Sequence, residues 1–185
     1  MWLFIIAVIF GHVLQQEFVE SWPDPYLRSK GAIWPQPQYI TIVDELMTVN
    51  LETFTFLSTV GECEIIDKAI TRYYKRLRGK IEFNGSKNMK RQSIKAMDDQ
   101  VLSNLTIIVK EGCTDRFPQF GMDESYKLNI TSSDGILRAN QVWGALRGME
   151  SFAQLFFDNN AKIRKVLIND YPRFLHRGVL LDTAR

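Results

Sequence analysis

The sequence predicts an α+β fold, a mainly antiparallel sheet with two helices packed on it, followed by one further strand. Three observations predict it. Two segments repeat apolar residues at three- and four-residue steps, the mark of an amphipathic helix. Several short β-branched or alternating runs lie around them and read as strands. In chain order these elements run β-β-α-β-β-β-α-β, a small α+β domain. The composition agrees: 185 residues, 45% hydrophobic and 24% charged, with a net charge of +2. That is a globular chain, long enough for one domain and part of another, with too little net charge to imply a nucleic-acid partner.

Residues Trp2 to Phe10 form an apolar run, weakly extended through Leu14. It falls short of the roughly 20 residues that span a bilayer, and it fits the apolar core of a signal peptide over residues 1–16. It departs from the ideal in having no Lys or Arg before the run and no small-x-small cleavage site. An uncleaved anchor or a buried first strand are the alternatives. No membrane span is expected. Residues 17–38 are rich in Trp and Pro, with Trp22-Pro23-Asp24-Pro25 and Trp34-Pro35-Gln36-Pro37. Proline fixes φ and pushes its predecessor extended, so this is an ordered lead-in without helix, with Trp34 as a packing anchor.

Tyr39–Val43 reads as a first strand and Leu51–Phe56 as a second. Glu62–Leu77 reads as a helix, with Ile65, Ile66, Ala69, Ile70, Tyr73, Tyr74 and Leu77 on one face and Gly79 as its stop. The basic stretch from Lys68 to Lys95 reads as a solvated helix face and a loop, because Tyr73 and Tyr74 point to the core instead of offering stacking platforms. Leu105–Val109 is the plainest strand. Glu124–Thr131 alternates as a half-buried strand. Ser132-Ser133-Asp134-Gly135 reads as a turn with Gly135 taking positive φ, and Ile136-Leu137 begins a return strand.

Ala139–Asp158 reads as the longest helix, capped by Asn140. Val142, Leu146, Met149, Phe152, Ala153 and Phe156 form its buried stripe. Gly144 and Gly148 lie four apart, and each costs about 1 kcal/mol against alanine in a helix. Close approach of helix and sheet is the expected return. Ile163–Ile168 is a last short strand of the domain, and residues 170–174 are the connector. Val179-Leu180-Leu181 is an unbroken apolar run between Gly178 and Asp182, the habit of a strand covered on both faces.

Three motifs in this order resemble one family. Ile33-Trp34-Pro35-Gln36-Pro37-Gln38, the helix Trp143-Gly144-Ala145-Leu146-Arg147-Gly148-Met149-Glu150-Ser151-Phe152, and His176-Arg177-Gly178-Val179-Leu180-Leu181-Asp182-Thr183-Ala184-Arg185 resemble stretches of the β-N-acetylhexosaminidases, the family-20 glycoside hydrolases. The resemblance covers nearly all of the chain after residue 30. It implies that residues 17–171 are the small non-catalytic domain and that residues 172–185 open a catalytic (β/α)8 barrel, truncated here after its first strand.

The chemistry that the resemblance implies is largely absent from these residues. There is no GxGxxG, P-loop, HExxH or Ser/His/Asp set, and no cofactor is expected. Glycosidases generally use paired carboxylates, but in this family the substrate's own 2-acetamido carbonyl attacks the anomeric carbon. A Glu protonates the leaving oxygen and a preceding Asp orients the acetamido group. That pair would lie beyond Arg185, so no catalytic residue is assigned. The pairs that are present, Asp98-Asp99 and Asp123-Glu124, read as surface charges. Arg185 matches the family's arginine at the carboxyl end of the first barrel strand, where it would donate to hydroxyls of the non-reducing sugar. Arg177 and Asp182 match family positions and are taken as structural.

Two cysteines, Cys63 and Cys113, allow either a bridge or two buried thiols, and the resemblance favours the bridge. With His12 and His176 they make no convincing metal site. Sequons stand at Asn84, Asn104 and Asn129; Asn84, in what reads as a polar, glycine-containing loop, is the best candidate, whereas Asn104 opens an apolar strand and Asn129 sits inside one. The resemblance places the chain in the secretory pathway, lysosomal or extracellular. It implies a glycan substrate ending in N-acetylglucosamine or N-acetylgalactosamine for the full-length enzyme, and a possible dimer. The alternative is a secreted, non-catalytic interaction module built on the same domain.

Overall fold

The computed structural model describes residues 33–85, 100–113, 117–157 and 161–183. They form one mixed sheet with two helices. The strands are β1 Tyr39–Thr48, β2 Thr55–Ser58, β3 Asn104–Val109, β4 Tyr126–Ile130, β5 Asp134–Ala139, β6 Phe156–Phe157 and β7 Lys162–Asp170. The helices are α1 Glu64–Gly85 and α2 Val142–Gln154. The sheet runs β1-β7-β4-β5-β3-β2, with β6 paired to β7 alone. Pairs β1/β7, β7/β4, β4/β5 and β6/β7 are antiparallel, whereas β5/β3 and β3/β2 are parallel. The parallel β2/β3 pair follows from α1, which supplies the crossover that a parallel neighbour needs.

The expected α+β class therefore holds, with several boundaries corrected. The second strand begins at Thr55, not Leu51. The Asn50 side chain accepts from the Glu52 amide at 3.0 Å, and the Thr53 and Phe54 amides return to the Asn50 carbonyl. This local bonding makes a turn of the segment expected to be strand. Helix α1 passes through Gly79 and ends only at Gly85, so Asn84 sits in its last turn and not in a loop. Gly79 is exposed and a Cβ there would meet nothing within 4 Å, so it weakens the helix without stopping it.

Helix α2 starts at Val142, after Asn140 and Gln141 have been claimed elsewhere. Asn140 donates to Asp123 at 2.6 Å, and Gln141 sits at the N-cap without a side-chain cap bond. The expected extension to Asp158 is replaced by Leu155 as C-cap and the short strand β6. The turn between β4 and β5 is tighter than expected, and Gly135 belongs to β5 without positive φ. Its lack of a side chain is needed for packing: a Cβ there would lie 2.8 Å from Ile130 Cδ1 and 3.1 Å from Leu105 Cδ1.

One sheet face and both helices enclose the core. Strand alternation sends Leu105, Ile107, Tyr126, Leu128, Ile130 and Leu137 inward. Helix α2 lies over β3, β4 and β5 and also meets α1. Phe152 of α2 stacks on Phe54 with ring centroids 5.9 Å apart and meets Phe156 edge-on at 5.4 Å. Gly144 and Gly148 give the close approach that their spacing predicts. A Cβ on Gly144 would lie 2.1 Å from the Ser125 carbonyl oxygen, and one on Gly148 would lie 2.2 Å from Leu137 Cδ1.

Cys63, just before α1, is bonded to Cys113, just after β3. After β7 the chain leaves the sheet. Among the described residues, 171–183 pair with no strand, and Val179, Leu180 and Leu181 are 93%, 94% and 79% exposed. The apolar run expected to be strand thus has no ladder among the described residues, because no neighbouring strand offers hydrogen bonds to it. Among the described residues no helix is long and apolar enough to cross a membrane. The signal-like residues 1–16 lie outside the described residues.

Candidate functional site

Three segments remote in sequence meet at one end of α2: the Trp-Pro lead-in, the approach to β4, and the chain that follows β7. They border a cavity of about 260 Å³. The Trp34-Pro35 peptide bond is cis. The Gln154 side chain reads the Trp34 backbone at both ends, accepting from its amide at 2.7 Å and donating to its carbonyl at 2.9 Å. Asp170 at the end of β7 accepts from the Gln38 amide at 3.0 Å. Long polar side chains thus fix a proline-rich segment that has no helix or ladder of its own here. The Trp34 indole itself is 76% exposed at the rim. It is not the packing anchor that the sequence suggested; the backbone beside it is the anchored part.

Glu124 is the centre of the cluster. It is 4% exposed, just ahead of β4, and it accepts from two arginines: Arg147 Nε of α2 at 2.7 Å and Arg177 Nη2 of the C-terminal segment at 2.5 Å. Arg177 also donates to the Phe174 carbonyl at 2.5 Å. Burial pushes the Glu124 carboxyl up, but bonds and charge from Arg177 and Arg147 outweigh it and hold it below the usual carboxylate range. Asp123 and Glu124 were expected to be surface charges. For Glu124 this is corrected: two guanidiniums supply the bonds that burial of a carboxylate demands. Asp123 is half-buried and binds its surroundings through Asn140 and the Ser125 amide.

A second carboxylate, Glu150, lies one turn along α2. It accepts from Tyr73 Oη at 2.9 Å, Arg76 Nη1 at 2.6 Å and Gln154 Nε2 at 3.1 Å. Burial raises its pKa, and these bonds more than reverse the effect. Tyr73 is pushed up to about 12, by burial first and then by its bond to Glu150. Both carboxylates are therefore anionic acceptors with their oxygens engaged. A general acid needs the opposite, a carboxyl kept protonated near the working pH. The arrangement can hold segments in register; it is not set to donate a proton to a glycosidic oxygen.

Glu124→Gln is expected to lower stability by about 2 kcal/mol near neutral pH, the scale for losing hydrogen bonds to charged groups. Arg147 and Arg177 are half exposed and can turn to water, which keeps the loss from being larger. The sign with pH follows from the lowered folded pKa. The contribution of Glu124 is present above its unfolded pKa of about 4.3 and is lost as pH falls through the lower folded value. The difference in urea midpoint between wild type and variant therefore stays constant from pH 7 to 5 and shrinks only below the carboxylate range. A difference that vanished by pH 6 would refute this account.

Of the residues singled out in the sequence, Arg185 and the Asp98-Asp99 pair lie outside the described residues. Arg177 is brought to Glu124, while Asp182 stands exposed on the departing segment. Asn104 opens β3 and Asn129 lies within β4. His176 is exposed, and His12 lies outside the described residues. Arg147, Glu150 and Gln154 were missed as a set. Their helical spacing on α2 was visible, but their partners Glu124, Arg76 and Trp34 lie 23, 74 and 120 residues away.

Comparison with known proteins adds the following. The model of a family described as beta-acetyl hexosaminidase like matches residues 33–155. The chain is 36% identical over 162 residues to the beta-hexosaminidase subunit alpha of Bos taurus, covering 83% of this chain and 30% of that protein. It is 34% identical over 191 residues to the beta-hexosaminidase subunit beta of Homo sapiens, covering 98% of this chain and 34% of that protein. The chain thus spans about a third of the length of the curated relatives it matches. In three dimensions it is similar to a chitobiase of Flavobacterium johnsoniae, with a TM-score of 0.60 at 24% identity over 82% of this chain and 22% of that one. That likeness is one of fold.

Proposed function

The chain belongs to the beta-acetyl hexosaminidase-like family, and from that we propose that it is the N-terminal part of a β-N-acetylhexosaminidase. The whole enzyme removes terminal N-acetylglucosamine or N-acetylgalactosamine from glycans in the secretory pathway, in the lysosome or outside the cell. Catalysis is substrate-assisted and retaining: the acetamido oxygen attacks C1 while a carboxylic acid protonates the leaving oxygen. Neither the acid nor the carboxylate that orients the acetamido group belongs to these 185 residues. Residues 17–171 form the supporting domain and residues 172–185 open the barrel. Arg185 donates to hydroxyls of the terminal sugar, a role suited to the planar guanidinium fork. Dimerisation of the whole enzyme is part of the same proposal.

One observation carries this division of labour. Glu124 and Glu150 are held anionic with their oxygens engaged, and the segment that Glu124 secures through Arg177 leads straight into the exposed Val179-Leu180-Leu181 run. So large an apolar exposure is the mark of a surface that another element covers. The 185-residue chain is expected to release no chromophore from a chromogenic N-acetylglucosaminide, whereas the reading frame continued past the codon for Arg185 is expected to do so. Hydrolysis by the 185 residues alone would sink the proposal. A stop codon directly after Arg185 would turn it toward a non-catalytic interaction module.

A further inference from the structure

The outer face of the sheet carries a sequon in an unusual place, inside a strand. Asn129 and Ile130 close β4, and Thr131 follows it directly. Alternation decides which way each residue points. Tyr126, Leu128 and Ile130 are buried under the helices, so Asn129 and Lys127 stand on the opposite face. Helix α2 packs on the other face, with Gly148 set against Leu137 and Tyr126, two of the inward residues.

Three features favour Asn129 over Asn104 as the acceptor. Its side chain is directed outward by the pleat, with no tertiary bond to break: its carboxamide oxygen accepts from the hydroxyl of its own sequon, Thr131 Oγ1, at 2.7 Å. Its neighbours across the ladder are apolar. Ile136 of β5 and Leu167 of β7 stand opposite it, and Leu167 is 44% exposed. A sugar ring has an apolar face of C–H groups that covers such surface. Finally, the rival Asn104 is committed elsewhere. Its Nδ2, the atom that would be substituted, donates to Asp134 Oδ1 at 2.5 Å and ties β3 to β5.

We propose that Asn129 is N-glycosylated and that its glycan covers the outer face of the sheet. The inference rests on the secretory-pathway reading above. The donor is an oligosaccharide linked to a lipid diphosphate. Asn129 Nδ2 attacks the anomeric carbon, a N–C1 bond forms, and the C1–O bond to the diphosphate breaks. The lipid diphosphate leaves with the bonding electrons, and a base of the transferase takes one proton from the nitrogen. Glycosylation adds a bulky, solubilising group and suits a surface position. Here it would also shield Leu167 and Ile136 from other chains.

The test uses the full chain, made in a glycosylating eukaryotic host and treated with a peptide-N-glycosidase in heavy-oxygen water. Deglycosylation turns a modified Asn into isotope-labelled Asp, which peptide mass spectrometry locates. The expected result is label at Asn129. Asn129→Gln and, independently, Thr131→Ala should each remove one glycan's mobility shift from the secreted protein. Label at Asn84 or Asn104 with Asn129 unmodified would overturn the proposal and leave the secretory reading standing. A secreted chain with no label at any sequon would also overturn it. A chain retained in the cytosol would bring down both readings together.

Discussion

Gly144→Ala is expected to destabilise the domain by about 3 kcal/mol, the upper part of the range for forcing extra volume into a packed site. The figure is net of the roughly 1 kcal/mol that alanine gains over glycine in a helix. The added Cβ would stand 2.1 Å from the Ser125 carbonyl oxygen and 3.1 Å from Ala139 Cβ. The first is main chain just before β4, adjoining Glu124, so it cannot swing aside as a side-chain tip can. Helix α2 would have to lift from β4 and β5, and Arg147 would be drawn from Glu124 with it. Gly148→Ala should cost less, because its nearest obstacle is a Leu137 methyl. Gly79→Ala in α1 is the control of opposite sign, exposed and with nothing within 4 Å, and should stabilise by about 1 kcal/mol. Urea unfolding of the three variants, read at constant slope, checks the ranking. A Gly144→Ala midpoint at or above that of wild type would mean that the helix is not pinned by this contact.

Breaking the Cys63–Cys113 bridge has the larger expected effect. Fifty residues separate the two cysteines, and closing a loop of that size removes about 4 kcal/mol of chain entropy from the unfolded state in the loop-closure model. The loop contains all of α1 and all of β3, and the bridge joins the start of one to the segment after the other. Cys113→Ser should lower the urea midpoint accordingly, and reductant should lower wild type to the same value. The double variant, Cys63→Ser with Cys113→Ser, should no longer respond to reductant. A wild-type midpoint insensitive to reductant would show that the bridge contributes little in solution. For a domain whose whole stability is of the order of 10 kcal/mol, the loss would leave a large unfolded fraction under mild heating.

Much of the fold was legible because its signals are local. The stripe Met149, Phe152 and Ala153 in α2 is set by helical periodicity, the alternation of Tyr126, Leu128 and Ile130 in β4 by strand periodicity, and β3 by its β-branched run. The glycine pair in α2 was legible too, since two glycines on one helical face are costly unless something lies close. Boundaries failed where a side chain bonded to main chain or reached across the fold. Asn50 made a turn of the start of the second strand, and Asn140 was drawn to Asp123. Gly79 looked like a stop because glycine often is one, but α1 continues through it.

The sequence by itself determined the α+β class, the inward faces of both helices and of the strand that became β4, and the family to which these motifs point. It did so because hydrophobic spacing and motif identity are properties of neighbouring residues. Only the tertiary structure decided that β2, β3 and β5 run parallel, that Trp34 stands in solvent, and that Glu124 is a buried charge gripped by Arg147 and Arg177. A carboxylate next to an aspartate looks solvated until the cations that compensate its burial are in place. Those cations come from positions 23 and 53 residues further along the chain, and no local pattern records a distance that only folding closes.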